Sequence, residues 1–370
     1  QGPLEDACGA YPRVTDDQGF GDADAKALLV QTLDDAGVEV DLGEVLDESH
    51  VRSGQGAGRK ARSGQYACLA AILPTAPMTD SLARLTRSDF RHLERLRVRW
   101  AEVDMQQIVF NAHYLLYFDT AVAGYWRAVA LPYQAAMESL GGDLYVRKAT
   151  LWYEGSARYD DQVDIGIQCA RIGNSSFHLQ AAVFRGAQRL VHGELVYVFA
   201  DPVSQSARPV PQALRDAILG FEAGESMVTV RSGDWVALGR QARSIRDAVF
   251  IQEQGIAAEL EHDTADVDAV HAVAFNRLGQ AVATGRLLGA VDGASKIGRM
   301  AVLASVRSAG IGSSLLESLV RAARERGDSE VSLHAQASAV SFYRSAGFTA
   351  RGGAFQEAGI AHQAMTLTLR

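Results

Sequence analysis

The chain has 370 residues, of which 48% are hydrophobic and 22% charged, too many for one ordinary core and enough for two domains or three. Its net charge of −8 is unevenly placed: residues 1–77 hold 13 acidic and 6 basic side chains, the remainder 31 and 30. A main body so near neutrality offers no basic face to nucleic acid or anionic lipid, and no apolar run approaches the roughly 20 residues of a membrane helix.

Cys8, Cys68 and Cys169 are far apart and form no CxxC pair, so no disulfide framework and no metal site is expected. That usage fits a reducing cytoplasm. The start, Gln1-Gly2-Pro3-Leu4-Glu5-Asp6, lacks the basic opening and apolar stretch of a signal peptide.

In chain order, residues 1–77 read as an extension with one amphipathic helix over 25–36 and flexible Gly/Ser stretches at 53–59 and 62–64. Met78, followed by Thr-Asp-Ser, resembles a translational start, which makes the extension dispensable by expectation. The alternation of 93–100 predicts a strand, and Asn111 is placed as the N-cap of an apolar-rich helix running to about 129. Strand patterns follow at 144–154, 162–172, 176–184 and 189–199, separated by turn residues such as Gly173-Asn174 and Gly186. One helix followed by an antiparallel meander is an α+β layout.

Pro209 and Pro211 mark a linker that carries a short helix to Phe221. Beyond it the pattern alternates. A strand is predicted at 227–231, a helix near 235–250, and strands at 269–276, 280–288 and 296–303. A helix over 311–326, a strand at 330–334, a helix at 338–346 and a strand at 362–369 complete the chain. The expected division is 1–77, 78–202, a linker at 203–226, and 227–370, with halves that fold independently.

The first chemical signal is Asp104, in a short loop ahead of the helix that opens at Asn111. Thioester hydrolysis needs a carboxylate to attack the carbonyl or activate water, and donors for the developing oxyanion. A helix N-terminus supplies such donors through free N–H groups and its dipole. Glu102 is taken as a surface charge at a strand end. His113, His178 and His192 are taken as structural.

The stretch Asp104-Met-Gln-Gln107-Ile-Val109-Phe-Asn111-Ala-His-Tyr114 resembles the YbgC/FadM-type and 4-hydroxybenzoyl-CoA-type thioesterases. The resemblance covers about 91–201. It implies a hot-dog fold, with a helix wrapped by a curved sheet, and a homodimer or homotetramer binding acyl-CoA between subunits. It also implies Asp104 as nucleophile or general base, with Asn111 assisting at the helix start. Gln107 stands where the family has glycine, which narrows the acyl pocket, adds a donor or reduces activity.

The second signal is a strand that ends Met300-Ala301-Val302 and feeds Arg307-Ser308-Ala309-Gly310-Ile311-Gly312-Ser313, an R-x-x-G-x-G loop opening a helix. Glycines let N–H groups converge on an anion, and the helix dipole favours a pyrophosphate there. Neither a Walker loop nor a dinucleotide fingerprint fits. With Phe342-Tyr343 and Gly347-Phe348 downstream, the segment resembles the GNAT acetyltransferases. Glu261-His262-Asp263, Gly285-Arg286, Ala335-Gln336 and Gly359-Ile360-Ala361-His362 point to the ElaA-type branch.

That resemblance spans about 228–369 and implies a GNAT α/β domain with a mixed sheet. It implies acetyl-CoA as co-substrate and an amine acceptor. The main chain of Met300, Ala301 and Val302 would hold the pantetheine, Arg307 to Ser313 the pyrophosphate, and Tyr343 would protonate the departing thiolate. For the base that deprotonates the amine, Glu253, His271, His334, Glu357, His362 and a water chain all stand open. The overall expectation is a bacterial enzyme with acyl-CoA thioesterase and N-acetyltransferase activities. The alternatives are a hot-dog half that only binds acyl-CoA or dimerises, and a pair of acyl-CoA-sensing modules.

Overall fold

The computed structural model describes residues 85–369. The expectations for a helix at 25–36, the flexible stretches and Met78 lie outside the described residues, as do Cys8 and Cys68.

Strand β1 (His92–Arg97) is shorter than the predicted 93–100, because Trp100–Glu102 turns off as a 3-10 helix. Helix α1 (Asn111–Ala128) follows and buries Tyr114, Tyr117, Phe118, Ala121, Val122 and Tyr125. Their three- and four-residue spacing is the core-facing stripe of a helix. A second helix, α2 (Tyr133–Leu140), was not read from the sequence. The four predicted strands are β2 (Asp143–Tyr153), β3 (Gln162–Ile172), β4 (Ser176–Arg185) and β5 (Gln188–Ala200). With β1 they form an antiparallel five-stranded sheet in the order β1-β3-β4-β5-β2.

The sheet can close on α1 because β5 carries Gly193 under the helix. A Cβ there would fall 2.9 Å from Phe118 Cε2 and 2.6 Å from the Thr150 carbonyl oxygen. Helix α3 (Gln212–Glu222) buries Leu214, Ala217, Ile218 and Phe221. Its Glu222 carboxylate accepts from Tyr125 Oη at 2.6 Å and from the Cys169 backbone N–H at 2.6 Å. The segment after Pro211 is therefore fastened to the first sheet and helix.

The second half contains β6 (Val228–Gly233), α4 (Trp235–Arg246) and a π-helical stretch over Asp247–Glu253, where a single helix to 250 was expected. Then come α5 (Ala258–Glu261), β7 (Val270–Asn276), β8 (Ala281–Leu287), β9 (Ala294–Val302) and α6 (Ile311–Arg326). The chain ends with β10 (Glu330–Gln336), α7 (Val340–Ser345), β11 (Thr349–Glu357) and β12 (Ile360–Thr368). The seven-stranded sheet runs β11-β12-β10-β9-β8-β7-β6 and is mixed, since β10 lies parallel to β9 while its other neighbours pair antiparallel.

The core is continuous between the halves: Phe221 and Met227 join the cluster around α1 to the one around α6. Asn276 Nδ2 donates to the Ala130 carbonyl at 3.2 Å, and Gln280 Nε2 to the Ala135 carbonyl and Ser139 Oγ at 3.2 Å each. Among the described residues no helix is long and apolar enough to cross a membrane.

Candidate active sites

Asp104 lies in a tight loop held by its own backbone. Val103 and Val109 form an isolated bridge, Asp104 N–H donates to the Ile108 carbonyl at 2.9 Å, and Gln107 N–H to the Asp104 carbonyl at 2.9 Å. Asp104 Oδ1 accepts the Gln106 N–H at 2.7 Å, an Asx-type turn. Gln107 has φ 62, the left-handed conformation that glycine adopts freely. The substitution has kept the glycine-type backbone and placed an exposed side chain on it.

The N-cap expectation needs correcting. The cap of α1 is Phe110 (φ −59, ψ 135), with no side-chain cap hydrogen bond, and Asn111 is the first helical residue. The reason is tertiary: Val109 N–H donates to the Ala157 carbonyl and Phe110 N–H to the Glu102 carbonyl, so the loop is pinned until Phe110. The first N–H groups of α1 thus remain without side-chain caps, as an oxyanion site requires. Tyr153 Oη donates to the Asn111 carbonyl at 3.3 Å.

Glu102 is also not the surface charge expected; it is buried. It accepts from Arg99 N–H, Arg99 Nε and Tyr117 Oη, each at 2.7 Å. Burial pushes its carboxyl up, but those hydrogen bonds outweigh it and hold the group below the usual carboxylate range. Tyr114 Oη accepts the Ala157 N–H at 2.9 Å, a structural role. His178 sits between Arg171 and Glu194, and His192 stacks on Trp152 at 5.1 Å.

In the second half the informative feature is a splay. The parallel ladder between β9 and β10 ends at Leu333↔Ile297. Beyond that point β9 continues to Val302 against β8, and β10 continues to Gln336 against β12. Arg299, at φ 52, sits in the irregularity where the β8–β9 register shifts. The β10-facing edge of Met300 to Val302 thus borders an opening. A cleft of about 390 Å³ occupies it, lined among others by Gly298, Met300, Leu333, Gln336 and Tyr343.

At the far end of β9 the chain turns through Ser308 (φ 70) and Gly310 (φ 77) into α6, whose N-cap is Gly310. Ser313 and Ser314 N–H groups return to the Gly310 carbonyl at 3.1 and 3.3 Å. Buried Ile311, Leu315, Leu316, Leu319 and Val320 fix α6 on the sheet, and Gly327 (φ 87) ends it. Arg307 is committed inside the protein: Nε donates to the Val302 carbonyl at 2.9 Å, and Nη1 and Nη2 clamp Glu253 at 2.6 Å each. Those hydrogen bonds hold Glu253 below the usual carboxylate range. The groups this loop leaves available to an anion are therefore the amides at the start of α6 rather than the Arg307 guanidinium.

Tyr343 is buried against Phe342 and Phe348, and desolvation pushes its phenol up to about 12, so it stays protonated at neutral pH. One wall of the cleft is braced by an ionic network that the sequence reading did not assemble. Arg246, 1% exposed, bonds Asp266 at 2.8 and 3.0 Å and also Glu261. Arg286 bonds Asp263 and Asp266, and Arg299 reaches Glu261 at 2.9 Å. The motif residues were visible in the sequence; their pairing is a tertiary fact.

The candidate bases separate clearly. His334, Glu357 and His362 line the cleft. Glu253 is clamped by Arg307, and buried His271 bonds the Asp266 carbonyl and packs on Trp235.

These two sites and two sheets define a class: a hot-dog domain followed by a GNAT domain. A family model described as "Thioesterase-like superfamily" matches residues 98–218, and one described as "Acetyltransferase (GNAT) domain" matches 247–369. The uncharacterized N-acetyltransferase YjcF of Bacillus subtilis (strain 168) is 36% identical over 127 residues, 34% of this chain and 89% of YjcF. A thioesterase complexed with coenzyme A and Zn from Thermus thermophilus shares 23% identity, covering 36% of this chain and 97% of that one, at a TM-score of 0.32. The 1,4-dihydroxy-2-naphthoyl-CoA thioesterase Slr0204 from Synechocystis shares 18% identity, covering 35% and 95%, at a TM-score of 0.32. The chain belongs to the GNAT acetyltransferase family through its C-terminal domain and carries a thioesterase-like domain ahead of it.

Proposed function

We propose that this protein is a bifunctional enzyme of CoA thioesters: an acyl-CoA hydrolase in its first half and an acetyl-CoA-dependent N-acetyltransferase in its second. The single observation that carries the reading is the splay of β9 from β10 beside the uncapped glycine start of α6. In the transferase half, the Met300–Val302 main chain would hold the pantetheine amides as an added strand does. Within the expected Arg307 to Ser313 loop, the amides from Ser308 to Gly312 would hold the pyrophosphate, since the Ser313 N–H returns to the Gly310 carbonyl. The neutral amine nitrogen forms the C–N bond as the C–S pair leaves on sulfur; Tyr343 protonates the thiolate, and the proton lost by the nitrogen passes through solvent to restore the phenol.

In the hydrolase half, Asp104 would take a proton from water as the oxygen attacks the thioester carbonyl. The open start of α1 would stabilise the oxyanion, and the proton would return to the departing thiolate. The retained left-handed backbone at Gln107 supports an active hot-dog domain over one that only binds. A homodimer would form through β2, an edge strand that exposes Tyr145, Val146 and Tyr153. We take the working halves as 78–202 and 227–370, joined by 203–226, acting on the acyl-CoA pool of the cytoplasm.

The test is a screen of the full chain against acyl-CoAs of increasing length, with and without primary amines. Thiol release without amine reports hydrolysis, and amide formation reports transfer. A chain that neither binds acetyl-CoA by calorimetry nor releases CoA from any thioester sinks the proposal.

A further inference from the structure

We propose that a cavity between the two halves takes the 3′-phosphate of the CoA bound by the transferase half, with Arg91 of the thioesterase-like half as its cation and Ser314 of the transferase half as a hydroxyl donor. This rests on the acetyltransferase reading above and adds a subsite that the first domain lends to the second.

The cavity measures about 250 Å³, several times the roughly 30 Å³ share of one water. Arg91, Ala130 and Phe221 line it from the first half and its helix α3, and Gly310, Ile311 and Ser314 from the second. The two walls are tied to each other. Asn276 Nδ2 donates to the Ala130 carbonyl at 3.2 Å, and Phe221 and Met227 carry one core into the next.

Arg91 is positioned for an anion but spends its donors on no protein group. Its guanidinium carbon stands 5.9 Å from the centre of the Phe221 ring, a cation–π placement. Helix α3 ends through Gly224 at φ 83, and a Cβ there would fall 2.6 Å from Arg91 Nη1, so glycine at 224 gives the guanidinium its place. Among the described residues Arg91 has no hydrogen-bond or ion-pair partner.

The carboxylates nearby are already engaged. Glu225, which also lines the cavity, pairs with Arg277, whose Nε donates to the Ser226 carbonyl at 3.1 Å. Glu222 accepts from Tyr125 Oη and the Cys169 N–H, and burial pushes its carboxyl up despite those bonds and the Arg91 charge. The Arg277 and Glu225 charges cancel, which leaves the Arg91 charge and the positive end of α6 facing the cavity.

The loop that walls the cavity at Ala309, Gly310 and Ile311 is the one proposed to hold the pyrophosphate. In CoA a single ribose joins the 3′-phosphate to that pyrophosphate, so the two groups bind as neighbours. A phosphate monoester is close to dianionic at pH 7 and matches the planar fork of an arginine. Arg307, the loop's own cation, is spent on Glu253 and the Val302 carbonyl. The charge this phosphate needs therefore comes from the other half.

The test titrates the full chain calorimetrically with CoA and with 3′-dephospho-CoA, neither of which is a thioester open to hydrolysis. We expect the wild type to bind CoA about tenfold tighter than the dephospho form. Arg91→Gln should bring CoA down to the affinity of the dephospho form and leave the latter nearly unchanged. Ser314→Ala should narrow the preference by less, and Arg91→Lys should keep part of it. The preference should shrink as salt rises. Equal affinity for the two forms in the wild type overturns the subsite. So does a preference that survives Arg91→Gln, or a loss in that variant of the same size for both forms. Inorganic phosphate that binds without competing with CoA assigns the cavity to free phosphate and overturns the CoA assignment. CoA binding that is absent, or untouched by Gly312→Asp, overturns the transferase reading beneath it.

Discussion

Gly312→Asp should strengthen the fold and weaken acetyl-CoA binding, two effects of opposite sign from one carboxylate. Gly312 is the second residue of α6, after the Gly310 cap and Ile311. A Cβ there meets Phe342 Cζ at 3.5 Å and Val302 Cγ2 at 3.8 Å, ordinary contact that demands no rearrangement. Replacing glycine inside a helix gains a few tenths of a kcal/mol, and an anion in the first turn adds about 0.3–1 kcal/mol from the dipole. The unliganded protein should therefore unfold at slightly higher urea.

Binding moves the other way. A carboxylate about 4 Å from a phosphate charge is worth roughly 4 kcal/mol at an effective dielectric of 20 and about 1 kcal/mol in bulk water. A surface loop lies between these limits, so we expect a loss of about 1.4–2.8 kcal/mol, ten- to a hundredfold in Kd. Gly312→Asn matches the shape without the charge. The difference between the two variants, read by calorimetric titration at low and high salt, isolates the electrostatic part and should shrink as salt rises. Equal affinities for the Asp and Asn variants would refute the phosphate cradle at this helix start.

Asp104→Asn should reduce acyl-CoA hydrolysis about a hundredfold or more while leaving the urea midpoint in place, measured as CoA release. Gln107→Gly should raise stability by up to about 1 kcal/mol. The left-handed backbone costs a non-glycine residue about 1–2 kcal/mol, and glycine gives back about 0.5–1 in chain entropy; urea denaturation checks the sum. The Arg286 hydrogen bonds, with the charges of Arg286 and Arg299, outweigh desolvation and hold the Asp263 carboxyl below the usual range. Its contribution to stability is therefore complete above the unfolded value of about 4 and is lost as pH falls through the lower native value. Asp263→Asn should flatten that acid limb of a stability–pH profile.

Much of the chain was legible because its signals are local. The turns at Gly173-Asn174 and Gly186 bracket β4, and the spacing of Leu315, Leu316, Leu319 and Val320 sets out α6. The failures are places where distant contacts decide. Asn111 is a favourable cap residue, yet the loop bonds to Ala157 and Glu102 move the cap to Phe110. Strand β11 was missed because Gly352 and Gly353 interrupt it, a bulge falls between Arg351 and Ala354, and most of it is exposed, so no alternation marks it. Helix α2 is eight residues behind Pro132, too short for a periodic signal. Asp104 and Tyr343 stood out through motif spacing. For the base, sequence offered five candidate residues, and the cleft lining keeps three of them.

The most direct measurement of the two-site reading is a double dissociation on the full chain, with CoA release and amide formation followed in parallel. Asp104→Asn should lose hydrolysis and keep amide formation, whereas Gly312→Asp should weaken acetyl transfer and keep hydrolysis. A single variant that removes both activities, or a wild-type chain that shows neither, would contradict two independent CoA-thioester sites in one polypeptide.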